Sequence, residues 1–208
     1  MATTKIPVIT SLDQLDLNKS YTYADYLTWQ FKERVELLRG KLLKMSPAPN
    51  VRHQRISSEL SYTIQHFLKQ KSCELFTAPF DVRLPLPGNK SKSAKIDTVV
   101  QPDICVICDE AKLDTQGCNG APDLIIEILS PGNSKREMKD KFALYESAGV
   151  REYWIIDPVR EHILVYVVDE TGKFIGRQPF YAGDQIPSEV LVGFVLNTSE
   201  ILHELEDF

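Results

Sequence analysis

A short apolar segment that carries a single acid constrains this chain more than any other stretch. Residues 124–129 are apolar except for Glu127, and Ser130, Pro131 and Gly132 follow directly. A brief apolar run closed by turn-forming residues is typical of a central strand buried on both faces. A carboxylate in such a strand is costly unless a metal ion, a cation or a donor network compensates it. Glu127 is therefore either a functional carboxylate or half of a buried structural pair. The first reading is favoured, because buried ionisable groups concentrate at functional sites.

Length and composition indicate an ordinary soluble globular protein. The 208 residues, 43% of them hydrophobic and 25% charged, suit a single domain over 1–208, with 1–20 as an N-terminal extension. No apolar run approaches the roughly 20 residues that span a bilayer, and the first residues lack a signal-peptide core. We therefore expect no membrane association, a cytoplasmic location and four reduced cysteines.

The net charge of −5 argues against a protein that coats nucleic acid nonspecifically, but a nuclease needs only a local basic patch. Two basic clusters could supply one, although a solvated face is the usual explanation for such runs. The first cluster is Lys90, Lys92 and Lys95, and the second is Lys135, Arg136, Lys139 and Lys141.

The apolar periodicity and the turn residues predict a mixture of helices and strands. The predicted helices cover residues 22–31, 52–71, 133–148 and 199–205. The predicted strands cover 34–38 and 41–45 as a hairpin, 74–84, 99–107, 124–129, 152–156, 162–168, 173–180 and 190–192. The last segments are expected to form additional antiparallel strands.

Two further residues could meet Glu127. Asp103 lies within the predicted strand 99–107, and pairing of that strand with residues 124–129 would bring both acids to one end of a sheet. Lys141 falls on the inward stripe of the following helix, between Met138 and Tyr145. The alternative is that Lys141 extends along the helix to solvent at a sheet edge.

Two acids brought together repel each other, and each raises the pKa of the other. Mg²⁺ would relieve that conflict, because one or two carboxylates bind it while waters and substrate phosphate complete its coordination. A lysine beside the ion suits phosphodiester hydrolysis, since it can position or deprotonate water or stabilise charge on phosphorus. A structural protein with Asp103, Glu127 and Lys141 as a buried ion network remains a further possibility.

The order Gln101-Pro102-Asp103, then Glu127 in a strand, then a displaced lysine resembles the PD-(D/E)xK nuclease superfamily. The blocks 121–131 and 141–158 are similar to a restriction-endonuclease-like family abundant in cyanobacteria, and the resemblance covers about residues 22–200. It implies an α/β fold: a restriction-endonuclease-like core with a mixed central β-sheet flanked by α-helices. It also implies DNA cleavage that depends on Mg²⁺, with Mn²⁺ as a substitute, and a homodimer.

The resemblance also implies roles for individual residues. Asp103 and Glu127 would be the metal ligands and Lys141 the catalytic lysine. Leu129 stands where the superfamily pattern has a lysine, so the lysine must come from the helix. Two further residues of the resemblance could line the site as an extra ligand or as a proton or phosphate contact, namely Glu36 and His53.

The alternative function is a nuclease-fold protein that no longer cuts and acts as a nucleic-acid or protein binding module. The acidic net charge and Leu129 favour it. A structure in which Lys141 points away from Glu127 would support this alternative.

Overall fold

The computed structural model describes residues 8–45, 50–86, 96–130 and 135–202. Three predicted features lie outside these ranges: the first lysine cluster, the start of the helix at 133–134 and the end of the C-terminal helix.

The described residues form three α-helices and fourteen strands. The helices are α1 (Tyr23–Tyr26), α2 (Val51–Leu68) and α3 (Lys135–Ala148). The first eight strands are β1 (Val35–Leu38), β2 (Lys41–Lys44), β3 (Glu74–Thr77), β4 (Val82–Arg83), β5 (Val99–Val100), β6 (Ile104–Ile107), β7 (Leu113–Asp114) and β8 (Gly117–Asn119). The others are β9 (Leu124–Ile128), β10 (Glu152–Asp157), β11 (His162–Val168), β12 (Phe174–Gly176), β13 (Gln185–Pro187) and β14 (Val195–Asn197).

The central sheet is mixed and has the strand order β12-β11-β10-β9-β6-β3. β9 and β10 are parallel, and the other neighbours are antiparallel. A parallel pair needs a crossover connection, which α3 provides between β9 and β10. β9 has neighbours on both sides and is buried along its whole length, as its apolar sequence predicted.

The two faces of β9 pack against different helices because successive strand residues point to opposite sides. Leu124, Ile126 and Ile128 share a core with the buried stripe of α2, which consists of Ile56, Leu60, Ile64 and Leu68. Ile125 shares the opposite core with Leu144 and Tyr145 of α3. This alternation places Glu127 on the α3 face of the sheet.

A second six-stranded sheet has the order β2-β1-β5-β4-β8-β7. It begins with the predicted hairpin, whose turn residues Arg39 and Gly40 both have positive φ, as a tight two-residue hairpin turn requires. Tyr23–Tyr26 is shorter than the predicted helix 22–31, but Thr22 caps it through a reciprocal capping box with Asp25.

Two predicted strands are each divided between the sheets. Segment 74–84 splits into β3 and β4, and segment 99–107 splits into β5 and β6. Pro79 and Pro102 lie at the two breaks, where the missing N–H of proline cannot contribute to a ladder. Asp103 therefore lies directly before β6, not inside a strand as predicted.

Three other expectations were wrong. Residues 190–192 form no strand, and β13 pairs with β14 instead. The reason is that Glu152 accepts hydrogen bonds from the backbone N–H groups of Glu189 and Val190, which are then unavailable to a ladder. The loop 109–122 contains the short antiparallel pair β7 and β8.

The expectation of four reduced cysteines was wrong, because Cys73 and Cys108 form a disulfide. The register of β3 and β6 pairs Glu74 with Ile107, which brings the adjacent cysteines opposite each other. Cys105 and Cys118 are buried free thiols. Among the described residues, no helix has the length and apolar character that a membrane crossing requires.

Candidate active site

Glu127 lies near the C-terminal end of β9 and is directed towards α3. Its residue is 9% exposed. One carboxylate oxygen, Oε1, accepts hydrogen bonds from the hydroxyl of Tyr145 at 2.6 Å and from Nζ of Lys141 at 3.0 Å. The compensation that a buried carboxylate requires therefore comes from α3, the helix that follows its own strand.

Lys141 points into the protein from α3, so the alternative of a lysine extended to solvent is wrong. Its ammonium lies between two carboxylates, 3.0 Å from Glu127 and 3.2 Å from Glu36. The residue is 7% exposed. Charge-assisted hydrogen bonds on two sides fix the position of the ammonium closely.

Glu36 comes from the second sheet and is 1% exposed. It lies in β1 between Val35 and Leu37 and faces away from their side chains, as the alternation predicts. Besides Lys141, it accepts a hydrogen bond from the backbone N–H of Gln101 at 2.8 Å. Glu36 thus joins β1 to α3 and to the segment that leads to Asp103.

Asp103 meets the end of β9 because β6 and β9 pair with Ile104 opposite Ile126. Its Oδ2 accepts a hydrogen bond from the backbone N–H of Ile128 at 2.8 Å and lies 3.3 Å from Nε2 of His53. Asp103 and Glu127 therefore lie at the same end of the central sheet, as the sequence predicted.

His53 projects from the first turn of α2, where Asn50 caps the helix by accepting the backbone N–H of His53. Because a carboxylate oxygen of Asp103 can only accept, Nε2 of His53 is the protonated nitrogen in this pair. Its other ring nitrogen, Nδ1, is buried and has no hydrogen-bond partner among the described residues.

All five residues singled out from the sequence line one cavity of about 80 Å³. Nine other described residues complete the lining: Arg34, Met45, Gln101, Ile128, Leu129, Ser130, Glu137, Met138 and Tyr153. Leu129 contributes an apolar side chain where the superfamily pattern has lysine, and α3 supplies the ammonium instead.

Burial and charge crowding govern the ionisation of this cluster. Burial raises the pKa of Glu127 to about 7, and the neighbouring Asp103 and Glu36 add to this increase against the opposing effect of Lys141. Burial alone would lower the pKa of Lys141, but Glu127 and Glu36 raise it well above its ordinary value. Burial and Glu127 likewise raise the pKa of Tyr145, which therefore keeps its proton and donates. The raised pKa values favour the ammonium form of Lys141 and make Glu127 harder to ionise than a carboxyl group in water.

The donor set of this cavity fits a divalent cation. Glu36, Asp103, Glu127 and Lys141 together carry a formal charge of −2 when all three acids are ionised, and Glu137 and Arg34 of the lining carry single charges of opposite sign. In the described part of the chain, neither Oδ1 of Asp103 nor Oε2 of Glu127 accepts a hydrogen bond. No group of three or more His, Cys, Asp or Glu among the described residues is arranged as a metal cage. Mg²⁺ does not need a cage, because it keeps several waters and binds one or two carboxylates.

Sequence reasoning missed two contributors. Tyr145 was predicted as a core residue of the inward stripe, but its hydroxyl also donates to Glu127; the Lys141–Tyr145 spacing of four was the signal available. Gln101 was noted only as part of a motif, although its backbone N–H holds Glu36. Asp123, at the opposite end of β9, accepts hydrogen bonds from the backbone N–H of Cys108 and from Arg151 and takes no part in the cavity.

The mixed sheet, its two flanking helices and the acid–lysine cavity define a restriction-endonuclease-like nuclease fold. The solved structure of a "putative nuclease belonging to DUF820" from Anabaena variabilis superposes with a TM-score of 0.66 at 22% sequence identity. The superposition covers 88% of this chain and 97% of that one.

The chain belongs to the family described as "Uma2: Putative restriction endonuclease", whose family model matches residues 23–199. The range agrees with the extent of the resemblance seen in the sequence. A relative from Synechocystis sp. (strain ATCC 27184 / PCC 6803 / Kazusa), "Uncharacterized protein slr1290", is 23% identical over 154 residues. That match covers 73% of this chain and 76% of the relative.

Proposed function

We propose that this protein is an endonuclease that depends on Mg²⁺ and hydrolyses phosphodiester bonds of DNA. One observation carries the proposal: a buried ammonium is held between two carboxylates beside a third acid, in a cavity that remains open to small ligands. Family membership supports nuclease chemistry, and the acidic donor set supports the metal ion.

In this proposal Asp103 and Glu127 hold Mg²⁺ through the two carboxylate oxygens that accept no hydrogen bond from described residues. The ion would neutralise the acids and polarise the phosphoryl group, which is the chemistry that divalent ions supply in phosphodiester hydrolysis. The backbone N–H of Ile128 and the ring of His53 fix Asp103, while Tyr145 fixes Glu127. Both acids are therefore oriented before any ligand arrives.

Lys141 acts in the proposal as a fixed positive charge. In the metal-free protein Glu127 and Glu36 raise the pKa of Lys141, so its side chain is an ammonium that donates hydrogen bonds. In this proposal the ammonium positions the attacking water and stabilises the negative charge that develops on the phosphoryl oxygens. Glu36 holds the ammonium in place from the second sheet.

The two alternatives drawn from the sequence lose support to different degrees. Lys141 points towards Glu127, whereas the binding-module alternative was tied to a lysine pointing away. A purely structural network shares the observed contacts, but a network of Glu36, Asp103, Glu127 and Lys141 contains more acids than cations and is poorly balanced for stability alone. Stability measurements on Glu127→Gln distinguish the structural network from the metal site.

The direct test is nuclease activity and metal binding by the purified protein. With Mg²⁺ or Mn²⁺, wild type should cut at least one of supercoiled, linear duplex or single-stranded DNA. Asp103→Asn and Glu127→Gln should lose activity and Mn²⁺ affinity together, as measured by titration calorimetry. Absence of cleavage for every DNA form, with unchanged Mn²⁺ binding in Asp103→Asn, would refute the proposal.

Asp123→Asn is the matched control. Asp123 is a buried carboxylate on the same strand segment, but its partners are Arg151 and the backbone of Cys108. Its replacement should reduce thermal stability and leave Mn²⁺ affinity unchanged.

We also propose that the protein acts as a cytoplasmic homodimer. β12 and β2 are end strands of the two six-stranded sheets, and Ile175 on β12 is 54% exposed. An end strand with an exposed apolar side chain can pair with another chain. Light scattering after size-exclusion chromatography should give twice the chain mass for wild type. For the Ile175→Lys variant, the monomer–dimer equilibrium should shift towards monomer.

A further inference from the structure

Arg34 stands at the wall of the cavity in a fixed orientation. It immediately precedes β1, is exposed, and lines the same cavity as the three acids. Its Nε and Nη2 both donate to Oε1 of Gln101, at 3.1 and 2.9 Å. Two hydrogen bonds to one oxygen fix the plane of the guanidinium despite the exposure of the side chain.

Gln101 is itself held from the other side. Its amide nitrogen donates to Asp81 at 2.8 Å and to the hydroxyl of Tyr26 at 3.3 Å. Its backbone N–H donates to Glu36. The segment that orients Arg34 is therefore the one that fixes Glu36 and leads directly into Asp103.

The charge of the cavity creates a need for such a cation. Glu36, Asp103, Glu127 and Lys141 form a cluster with a formal charge of −2 when all three acids are ionised, and Glu137 also lines the cavity. The ammonium of Lys141 is enclosed by Glu36 and Glu127, and a divalent ion would balance the charge of this cluster without a surplus. A DNA phosphate entering this cavity needs a further positive charge that is not already committed to the acids.

A guanidinium has five N–H donors in a planar fork that matches phosphate geometry. The amide oxygen of Gln101 is neutral and engages only two of these donors, so Arg34 keeps its full charge and further N–H groups. A carboxylate in place of Gln101 would neutralise the arginine. The chain thus orients Arg34 without cancelling its charge.

We propose that Arg34 binds a phosphate of the DNA backbone at the cavity and so positions the substrate. The inference rests on the proposed nuclease function, which supplies the phosphodiester ligand. A competing explanation is structural, in which Arg34 only ties the start of β1 to the segment before Asp103.

The test compares Arg34→Ala, Arg34→Lys and a control, Arg151→Ala. Arg151 is also an exposed arginine with one side-chain partner, Asp123, but it lies at the opposite end of the central sheet. Binding of fluorescent single-stranded and duplex oligonucleotides is measured by anisotropy in Ca²⁺ over a range of salt concentrations. Mn²⁺ affinity without DNA and the melting temperature are measured on the same samples.

Arg34→Ala should weaken DNA binding about tenfold or more, as expected for loss of one arginine–phosphate contact. The slope of log affinity against log salt should decrease by about 0.7 for single strands or about 0.9 for duplex. Arg34→Lys should retain the slope and lose part of the affinity, because lysine keeps the charge without the fork. Mn²⁺ affinity should change less than about twofold, and Arg151→Ala should bind DNA like wild type.

Three outcomes would overturn the assignment: unchanged DNA affinity and salt slope in Arg34→Ala, a loss that parallels a large fall in melting temperature, or an equal loss in Arg151→Ala. Its failure is distinguishable from failure of the proposed function. A wild type that cuts DNA beside a fully competent Arg34→Ala rejects only the role of Arg34. A wild type that binds DNA through Arg34 but never cuts rejects catalysis alone, and one that binds no DNA rejects both.

Discussion

Replacement of Glu127 by glutamine separates a metal site from a structural ion network by the sign of the stability change. Each pKa unit corresponds to about 1.4 kcal/mol. A pKa raised from the ordinary 4.5 to about 7 therefore makes ionised Glu127 cost the metal-free protein about 3 kcal/mol above neutral pH. Glutamine resembles the protonated acid and avoids this cost.

The expected pH dependence follows from the raised pKa. The unfolded chain ionises Glu127 near pH 4.5 and the folded chain near pH 7, so this contribution to stability is complete below about pH 4.5. It is lost as the pH rises to about 7. Glu127→Gln and wild type should have similar stability near pH 4.5 without metal. Near pH 8.5 the variant should be more stable by about 3 kcal/mol, or roughly 6–12 °C in melting temperature for a chain of this size.

Denaturant unfolding at several pH values in EDTA, repeated with Mg²⁺, provides the assay. Mg²⁺ at a hundred times its Kd should stabilise wild type by about 2.7 kcal/mol and should not stabilise the variant. The structural network predicts the reverse at pH 8.5, a loss of about 3–5 kcal/mol when one member of a buried pair is removed. A loss of that size, together with no effect of Mg²⁺ on wild type, would refute our reasoning.

Three further predictions concern the supports of the cavity. Tyr145→Phe removes a donor that lowers the pKa of Glu127, so the metal-free pH profile should move to higher pH and Mn²⁺ affinity should fall; an unchanged profile would show that the hydroxyl is not engaged. In His53→Gln the amide N–H can occupy the position of Nε2, which contacts Asp103, whereas in His53→Asn it lies near the position of Nδ1. Only the glutamine variant should therefore keep the Mn²⁺ affinity of wild type. Equal loss in both variants would contradict this role. Glu152→Ala should reduce the free energy of unfolding by about 3 kcal/mol or more, because its carboxylate is 0% exposed and accepts hydrogen bonds from Trp154 and from the chain at 188–190. Mn²⁺ affinity of that variant should equal that of wild type, and a combined loss would instead connect Glu152 to the cavity.

Lys141 reaches Glu127 from a helix and not from the strand that carries the acid. In the superfamily pattern the lysine follows the acid by two residues on the strand, but here that residue is Leu129 at the cavity wall. α3 packs on the face of β9 that carries Glu127, so an inward residue of the helix reaches the same carboxylate. α3 packs on that face because it forms the parallel crossover from β9 to β10.

Much of the fold followed from local patterns. The period of the apolar residues on α2, the fully apolar β9, and the Arg39-Gly40 turn each predicted an element that the structure contains. One error occurred where a distant contact overrides a local preference. Segment 190–192 is apolar like a strand, but the carboxylate of Glu152 takes its backbone donors.

The sequence by itself determined the acids and the lysine of the candidate site. An acid inside an apolar strand and a lysine on an inward helical stripe are exceptions to the usual burial pattern, and the sequence alone is enough to detect them. Only the tertiary structure decided that Glu36 holds the lysine from a second sheet, that Asp103 lies just before its strand, and that Arg34 is oriented by Gln101. These contacts join residues 25 to 105 positions apart, and their geometry depends on sheet order and crossover packing, which no local pattern encodes.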